Sequence, residues 1–474
     1  MWLTWTIDTI AVVTLMVITL RRGIEHALPF AAFLFIVVSQ DVAIPLPGLF
    51  DLTLQRVILA ALSVLYFVFL LQKSKERTLK TPLKWLIILH IGWCSLSTAN
   101  SIVPMMSFKK MVSEIFEYYL LYYIFYQTIR DQRTVNRVLF GIVAAFITCG
   151  ILGIVEIYWG WSIMNWFPHV AHRFEGWSAI GVESGRDVRV TTTFGHPILY
   201  GAGLTMGIVL TLYLIKTSRT RSRRLLLWIG LLVMFLNIYK TSSRGPWLGV
   251  ALAMMVLLLW DKGRVRKYLM VIGVLILAVL VIRPGVWQTI ENIYYATFDP
   301  ESPLGSSYEY RYRLREVSMK ALARDVGRSV WGYGMESFYY LGLEGQLFGR
   351  PYRFLSCDSA WMELTVETGY VGLVIIASIL LLPLRRAWKN IRGSPDRVQL
   401  YLATAMLAYY FMMLSAAMYG WGQTGYILWM LIAVSAASLR MTYAQVPHGP
   451  GKPPTVVAKV SAVREEPSLI ELAH

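Results

Sequence analysis

The sequence has little charge and little cysteine for its length of 474 residues. Asp, Glu, Lys and Arg together make up 15% of it, whereas soluble globular domains carry about 25%. The three cysteines, Cys94, Cys149 and Cys357, are few and scattered, which argues against a disulfide framework and against a zinc site. Neither a soluble enzyme nor a disulfide-stabilised secreted domain fits this composition.

Several catalytic motifs are also missing. The chain contains no Asp-x-Asp pair, no Gly-rich phosphate loop, no His-Glu-x-x-His and no Gly-x-Ser-x-Gly. Metal-assisted transfer from sugar nucleotides, ATP hydrolysis and serine hydrolysis therefore lack their usual parts. We expect no metal ion and no other cofactor.

What the sequence does have is apolar residues, 56% of the total, in repeated runs of roughly 18 to 22 residues, the length of a bilayer-spanning helix. Lipid offers backbone groups no hydrogen-bond partners, so such runs are expected to be helical. The predicted fold class is an all-α integral membrane protein, with about 12–13 transmembrane helices and a long outward-facing helical loop. The predicted helices lie near 3–20, 24–42, 52–72, 84–100, 110–128, 138–159, 194–215, 224–240, 245–260, 267–283, 360–384, 398–418 and 423–440.

The loops between these runs differ sharply in charge. Positively charged loops of membrane proteins stay in the cytoplasm, so the basic set is expected to face inward and the others outward. This pattern accounts for the net charge of +17 without a nucleic-acid partner. The basic set is 21–22, 73–84, 130–137, 216–224, 262–267 and 385–397; the outward set is 43–51, 101–108, 160–193, 284–358 and the turn at Gly420.

This topology divides the chain into consecutive parts, and its long outward loops are candidate binding surfaces. Within the second long loop, 308–326 has the pattern of an amphipathic helix that lies on the bilayer. No internal repeat is apparent, which counts against an inverted-repeat transporter. The parts are N-terminal transmembrane helices (1–160), an outward loop (161–193), core transmembrane helices (194–283), a large outward loop with amphipathic helices (284–358), C-terminal transmembrane helices (359–440) and a disordered cytoplasmic tail (441–474).

Cations also occur at the outward ends of helices, where the charge bias disfavours them. Arg186, Arg189 and His196 lie around the start of the helix from 194, and Lys240 and Arg244 flank a very short turn. A cation kept at bilayer depth costs roughly 2.5 to 3.5 kcal/mol and is a functional-site hypothesis by default. Arginine suits phosphate in particular; the alternative is that these side chains only anchor the chain at the lipid headgroups.

A second basic group, Arg311, Arg313 and Arg315, lies in the large outward loop. Arginines two positions apart cannot share one helix face, so at most one or two of them can reach the same ligand. The alternative for this group is a solvated basic face that touches anionic headgroups.

Carboxylates occur at the start of the next apolar helix. Asp358 is placed either as the helix N-cap or as a general base, and Glu363 and Glu367 share one helix face. Lys110 and Glu114 are expected to form a local i, i+4 pair and nothing more. Arginines that neutralise a phosphate leaving group, beside a carboxylate that deprotonates a hydroxyl, suit glycosyl transfer from a lipid-linked diphosphate. Asp358 or Glu363 would be the carboxylate that activates the acceptor hydroxyl.

The sequence resembles the O-antigen ligase and polymerase superfamily of multi-pass bacterial membrane proteins. Each motif is short, and the order and spacing of the set carry the resemblance. The four segments are 189–197 (RVTTTFGHP), 242–247 (SSRGPW), 313–338 (with RL and later GYG) and 358–373 (with DS, then ETG).

The resemblance implies a glycosyltransferase fold of C type that acts without metal on the outer face of the inner membrane. The donor would be an undecaprenyl-diphosphate-linked glycan and the acceptor a glycan or lipid, with membrane lipids and other polysaccharide assembly proteins as partners. Arg189 and Arg313 would take the family's arginine roles, with Arg311 or Arg315 as alternatives to Arg313. Asp358 stands where ligases have histidine, which favours a polymerase; the alternatives are a ligase and, from another class, a transporter or flippase.

Overall fold

The computed structural model describes residues 2–44, 50–72, 78–167, 189–263, 265–271, 303–416 and 422–444, and a few single residues between these ranges. The predicted fold class is confirmed, because the described chain is almost entirely helical and includes six helices long and apolar enough to cross a membrane. The helices are α1 (Trp2–Arg22), α2 (Ile24–Val37), α3 (Leu54–Gln72), α4 (Lys84–Ala99), α5 (Pro104–Glu114), α6 (Leu120–Thr128), α7 (Gln132–Trp159), α8 (Pro197–Thr217), α9 (Arg221–Lys240), α10 (Arg244–Trp260), α11 (Pro303–Ala323), α12 (Val326–Trp331), α13 (Ala360–Lys389), α14 (Val398–Met412) and α15 (Gly422–Ala444).

Short elements complete the described chain. A π-helical turn, Ile115–Tyr119, joins α5 to α6, and 3-10 turns cover Ile163–Trp166, Phe338–Leu341 and Pro395–Arg397. Two small antiparallel hairpins pair β1 (Ala43–Ile44) with β2 (Leu52–Thr53), and β3 (Leu343–Leu347) with β4 (Arg350–Phe354).

The predicted helix near 267–283 lies mostly outside the described residues, and each of the other predicted spans coincides with a helix. The helix predicted at 398–418 is shorter than expected and ends at Met412. The residues after Met412 form a turn whose carbonyls, at Met413 and Ala416, accept hydrogen bonds from the Ala360 amide. Such turn carbonyls are free to accept because they are not used within a helix.

The helices differ in how deeply they lie in the bundle. In α8, 94% of the apolar span is buried, whereas the value for α1 is 28%. Helix α15 is also central, and Tyr118, Tyr119 and Tyr122 pack around its Trp429. The outer helices therefore offer their apolar surface to lipid, while α8, α14 and α15 form the protein interior.

The connecting segments gather at two ends of the bundle. At one end, here called the loop end, Ile102 N donates to Tyr333 O and Val190 N donates to Lys240 O. At the other end, here called the basic end, Lys216 pairs with Asp261 (Nζ–Oδ1 2.8 Å), and Arg397 donates to Trp260 O. Segments predicted to face outward thus contact one another at the loop end, and segments of the basic set do so at the basic end.

Above the loop end lies a small extramembrane unit, which we call the outward layer: α11, α12 and the β3–β4 hairpin. It has its own apolar core, in which Leu314, Phe338 and Phe354 are buried. The helix predicted at 308–326 is therefore present as α11, and its apolar residue Leu314 is buried in this core.

Helix α13 is interrupted near its outer end, at Gly369. This glycine has φ 70° and ψ 179°, a left-handed conformation that favours glycine. The backbone carbonyls just before it accept hydrogen bonds from other parts of the chain. The donors are Tyr333 N to Val366 O (2.9 Å), Gly334 N to Glu367 O (2.8 Å) and Trp93 Nε1 to Thr368 O (2.8 Å).

The two glycine motifs that the sequence analysis noted separately, GYG and ETG, therefore meet at this interruption. A Cβ atom on Gly332 would lie 2.4 Å from Glu367 O, and one on Gly369 would lie 2.0 Å from Val330 O. Only glycine allows the backbones to approach this closely. The contact joins the outward layer to the first part of α13, which contains Glu363 and begins two residues after Asp358.

Candidate functional site

An exposed ion pair lies between the outward layer and the start of α13. Arg311 Nε is 3.2 Å from Asp358 Oδ2, and about a third of each side chain is exposed (34% and 33%). Burial raises the pKa of Asp358 above its ordinary value, and the charge of Arg311 counteracts part of this rise. The pair combines a permanent cation with a carboxylate that binds a proton more readily than usual.

The cap of α13 differs by one residue from the position considered in the sequence analysis. Ser359 is the N-cap, and its side chain accepts a hydrogen bond from Met362 N. The N-cap interpretation of Asp358 is therefore wrong. Its carboxylate stands just outside the helix N-terminus, on the side of Arg311.

The other two arginines of α11 have different surroundings. Arg313 pairs with Glu309 (Nε–Oε1 2.7 Å) and Glu316 (Nη1–Oε2 3.1 Å) and is 41% exposed, and Arg315 is exposed. Residues two apart on an α-helix differ in direction by about 200°, so Arg311 and Arg313 lie on nearly opposite faces. Of the three, the structure brings Arg311 to Asp358.

Arg189 lies in a buried position at the loop end, where it is 8% exposed. Its Nε donates to Thr241 O (3.0 Å) and its Nη2 to Ser243 Oγ (2.6 Å). These bonds fix the turn between α9 and α10, which carries Lys240 and Arg244, both partly buried. Arg186, the other arginine predicted in this region, lies outside the described residues.

His196 begins α8 as its N-cap. Its Nδ1 accepts a hydrogen bond from Ile198 N (3.1 Å), and Pro197 follows at the first helical position. Burial, together with the charge of Arg189, lowers the pKa of His196 to about 4. The imidazole is therefore neutral at pH 7, and a neutral ring is what accepting this bond requires.

The segment before His196 is held by a buried carboxylate. Glu156 of α7 accepts hydrogen bonds from Thr192 N (2.8 Å) and from the amide and hydroxyl of Thr191 (3.2 Å each). Gln423 Nε2 donates to Thr193 O (2.7 Å). Helices α7 and α15 thus position residues 191–193.

Glu363 and Glu367 belong to a mixed-charge group under the outward layer. Lys110 Nζ is 3.2 Å from Glu336 Oε2, and Glu336 N donates to the carboxylate of Glu367. Glu363 lies within electrostatic range of both Lys110 and Glu336. The expectation that Lys110 makes only a local pair is therefore wrong, because its partner Glu336 is far along the chain.

A polar cavity of about 410 Å³ opens beside this group. Arg56 lies in its wall and donates to Glu117 from Nε (2.8 Å) and from Nη2 (2.7 Å), so its charge is already neutralised. Glu114 accepts from Tyr119 (2.9 Å) and Tyr419 (2.5 Å). The charged residues of the wall are Asp51, Arg56, Lys109, Lys110, Glu114, Glu117 and Glu336.

Arg56 and Glu336 were not among the residues predicted from the sequence. A signal existed for Arg56, which lies inside an apolar run, where a charge indicates a protein-facing or functional position. Glu336 carried no such signal, because it lies in a polar loop. Its position is apparent only when the GYG loop is seen to fold over α13.

The candidate residues thus form three groups at the loop end. They are the Arg311–Asp358 pair, the Arg189 turn with His196, and the Lys110–Glu336 group with Glu363. The turn after α14 lies between the first two, since Met413 O accepts from Ala360 N and Gln423 donates to Thr193 O. Within the described residues, no cluster of three or more His, Cys, Asp or Glu side chains is arranged to hold a metal ion.

Comparison with known families gives one match. Residues 229–377 match the family model described as O-antigen ligase, and no curated protein matches the chain. The matched range contains Arg311, Asp358 and Glu363, and three of the four segments on which the resemblance was based; the segment at 189–197 lies before it. Members of this family are glycosyltransferase-like enzymes, and the family implies lipid-linked glycan substrates and membrane lipids as partners. The resemblance is therefore confirmed over residues 229–377, which are similar to the O-antigen ligase family, and the described chain has the apolar helices of a multi-pass membrane protein.

Proposed function

We propose that the protein polymerises undecaprenyl-diphosphate-linked oligosaccharide repeat units into exopolysaccharide or O-antigen on the outer face of the bacterial inner membrane. The observation that carries this proposal is the Arg311–Asp358 pair. It lies inside the family-matched range, at the loop end, between the outward layer and a membrane helix.

The proposed reaction is a metal-independent displacement at the anomeric carbon of the donor glycan. Asp358 takes the proton of an acceptor hydroxyl, and the hydroxyl oxygen forms the new glycosidic bond. The bond from the anomeric carbon to the diphosphate breaks, and undecaprenyl diphosphate leaves with the bonding electrons. Arg311 offsets the charge that develops on the leaving diphosphate, as a positioned donor in a partly water-excluded site does. The raised pKa of Asp358 supports the role of base, since proton transfer is most efficient when the pKa of the base approaches the working pH.

The turn between α9 and α10 supplies the second half of the proposed diphosphate site. Arg244 is the first residue of α10 and Lys240 the last of α9. The N-terminus of a helix favours anions, because its backbone amides are unpaired and its dipole is positive there. We assign Lys240 and Arg244 to the diphosphate, and Arg189 to positioning the turn that carries them.

Two assignments differ from those implied by the family resemblance. The resemblance places Arg313 and Arg189 at the diphosphate; our proposal uses Arg311 in place of Arg313, because Arg311 contacts Asp358 and Arg313 contacts two glutamates. Glu363, the alternative base, is surrounded by Lys110 and Glu336, so we assign it to holding α13 against the outward layer.

A polymerase is favoured over a ligase because Asp358 occupies the position at which ligases have histidine. The two activities predict different intermediates. Cells that lack a polymerase accumulate single repeat units on undecaprenyl diphosphate, whereas cells that lack a ligase accumulate long lipid-linked polymer. Cells that lack a flippase accumulate single repeat units on the inner face of the membrane.

The test is deletion of the gene followed by mass spectrometry of the lipid-linked glycans, with complementation by variants. Single repeat units on the outer face are expected, and the wild-type chain should remove them. Asp358→Asn should fail to do so, with a rate loss of about 10²–10⁴-fold, the usual contribution of a general base. Glu344→Gln is the matched control, since Glu344 is an exposed carboxylate of the same outward layer.

Membrane levels of each variant are measured by immunoblot, so that loss of protein is separated from loss of chemistry. Long lipid-linked polymer in the deletion strain would show a ligase. Full complementation by Asp358→Asn would remove the proposed mechanism.

A further inference from the structure

A second cavity lies at the basic end of the bundle. It has a volume of about 280 Å³. Its walls come from the residues before α4 and from the ends of α6, α13 and α15 that lie at the basic end. Nothing in the proposed reaction uses this cavity.

The charged residues in its wall are both arginines. Arg386 is exposed and has no ion-pair partner among the described residues. Arg440 donates to Tyr126 O (3.3 Å) and to Ile129 O, and its guanidinium stands over the ring of Tyr126, 4.9 Å from the centroid. These contacts fix Arg440 in place through neutral groups, so its positive charge is not cancelled. No carboxylate is among the described residues of the wall.

The rest of the wall is apolar. Leu83 and Pro383 contribute aliphatic surface, and Tyr122 and Tyr126 contribute rings. The tyrosine hydroxyls already donate to backbone carbonyls, Tyr122 to Pro82 O (2.8 Å) and Tyr126 to Lys80 O (3.0 Å). What the two tyrosines offer a ligand is therefore apolar ring surface.

A ligand that complements this cavity needs one anionic end and one apolar end. Free phosphate would use the arginines but leave the apolar wall empty, and a neutral lipid would cover the wall but leave the arginines without a counter-ion. Basic pockets between membrane helices on the cytoplasmic side bind anionic lipid headgroups for these reasons. We propose that the cavity binds one anionic phospholipid, with its phosphate between Arg386 and Arg440 and its upper acyl chain against Leu83 and Pro383.

The leaflet follows from charge. The cavity lies among the basic segments, and the excess of Lys and Arg places these on the cytoplasmic side. The lipid would thus come from the inner leaflet, across the membrane from the Arg311–Asp358 pair. Lipid binding at this cavity is independent of the proposed polymerase activity. Its expected effect is on the packing of α6, α13 and α15.

The test uses the purified full-length chain in detergent. Binding of phosphatidylglycerol is measured by native mass spectrometry and by the thermal unfolding midpoint, with phosphatidylcholine of the same acyl chains as reference. We expect one phosphatidylglycerol to be retained and to raise the midpoint, because a ligand that binds only the folded state stabilises it. Arg386→Gln should weaken this binding about fivefold, the effect of one basic residue at an anionic headgroup.

Arg385→Gln is the matched control. Arg385 is the preceding residue, is equally exposed, and does not line the cavity, so this variant should bind phosphatidylglycerol as the wild type does. Equal unfolding midpoints of both variants in phosphatidylcholine would show that both are folded.

Four results would overturn the proposal. Phosphatidylglycerol and phosphatidylcholine could bind equally, or Arg386→Gln and Arg385→Gln could weaken binding to the same extent. Glycerol 3-phosphate could displace the lipid at comparable concentrations, which would make the ligand a water-soluble phosphate. Binding that appears only after removal of residues 445–474 would make the tail the occupant.

Discussion

Arg189 and Arg311 are the same residue type, and both lie at the loop end, yet their surroundings differ. The guanidinium of Arg189 is buried and bonded to a backbone carbonyl and a serine hydroxyl. That of Arg311 is about one-third exposed and bonded to a carboxylate. Position near the membrane surface therefore does not distinguish an arginine that stabilises the fold from one that binds a substrate. Its hydrogen-bond acceptor and its exposed fraction are the better indicators.

The physical reason lies in what each guanidinium would lose on binding a phosphate. An arginine bonded to fixed carbonyls must leave them unsatisfied in order to turn towards a ligand, and a buried unpaired acceptor costs about 1–3 kcal/mol. The guanidinium of Arg311 pairs with a carboxylate at a partly exposed position, so meeting a charged ligand leaves no buried backbone acceptor unsatisfied. On this ground we assign Arg311 to the diphosphate and Arg189 to the fold.

The largest expected effect separates Arg311 from its neighbour Arg313. Arg311→Ala should lower polymer synthesis by about 10²–10³-fold, the effect of removing one charge-stabilising donor. Arg313→Ala should stay within about twofold, because its partners Glu309 and Glu316 are on the solvent face and exposed pairs contribute little. Polymer length and amount in complemented deletion cells measure both.

Thermal unfolding of the two purified variants supplies the control, and both should match the wild type. If Arg313→Ala were inactive and Arg311→Ala active, the assignment implied by the family resemblance would stand and ours would be wrong.

The next effect is on stability and concerns Arg189. Arg189→Ala removes hydrogen bonds from a charged donor, each worth about 1.5–3 kcal/mol, so we expect a lower unfolding midpoint together with lower activity. Arg189→Lys keeps the charge but loses the forked geometry, and it should recover part of both. Unfolding curves and polymer assays on the same preparations measure the two quantities.

One outcome would contradict the distinction between Arg189 and Arg311. If Arg189→Ala kept the wild-type unfolding midpoint but made no polymer, Arg189 would bind substrate, and burial would not distinguish the two arginines.

The smallest effect is the pH dependence of stability from His196. Its pKa falls from an ordinary 6.5 in the unfolded chain to about 4 in the folded one, so between these values the unfolded chain binds more protons. Stability should then decrease as pH falls from 6.5 towards 4 and should be unaffected by His196 above 6.5. His196→Asn keeps an N-cap acceptor but does not titrate, and it should flatten this part of the curve.

Unfolding midpoints between pH 4 and pH 8 test this for the wild type and for His196→Asn. Identical slopes for the two would show that His196 does not titrate as the structure indicates.

Much of the fold was predictable from sequence, because lipid makes long apolar runs helical and sorts basic loops to one end. The contact between the two glycine motifs was predictable only in part. The sequence shows that Gly332 and Gly369 belong to motifs, but it does not show that these motifs contact each other. Local pairing was the main source of error. Lys110 was assigned to a neighbour four residues away, whereas its partner Glu336 comes from a loop that folds back over α13.

The direction of a side chain was not predictable where one or two residues of register decide it. On α11, a shift of two positions turns the candidate from Arg313 to Arg311, and the sequence does not fix the rotation of the helix. The burial of Leu314 in the outward layer does. Similarly, Asp358 and Ser359 are both good caps, and only the observed bond to Met362 N identifies Ser359.

The interruption at Gly369 has a consequence for how the protein meets membranes of different thickness. Just before it, Val366 O and Glu367 O of α13 accept hydrogen bonds from Tyr333 N and Gly334 N, which follow α12 of the outward layer, and the remainder of the helix is long enough to cross a bilayer. A thinner or thicker membrane makes spanning helices tilt, and a non-helical joint allows the part after Gly369 to tilt without the part before it. We therefore expect the distance between Arg311 and Asp358 to depend little on membrane thickness.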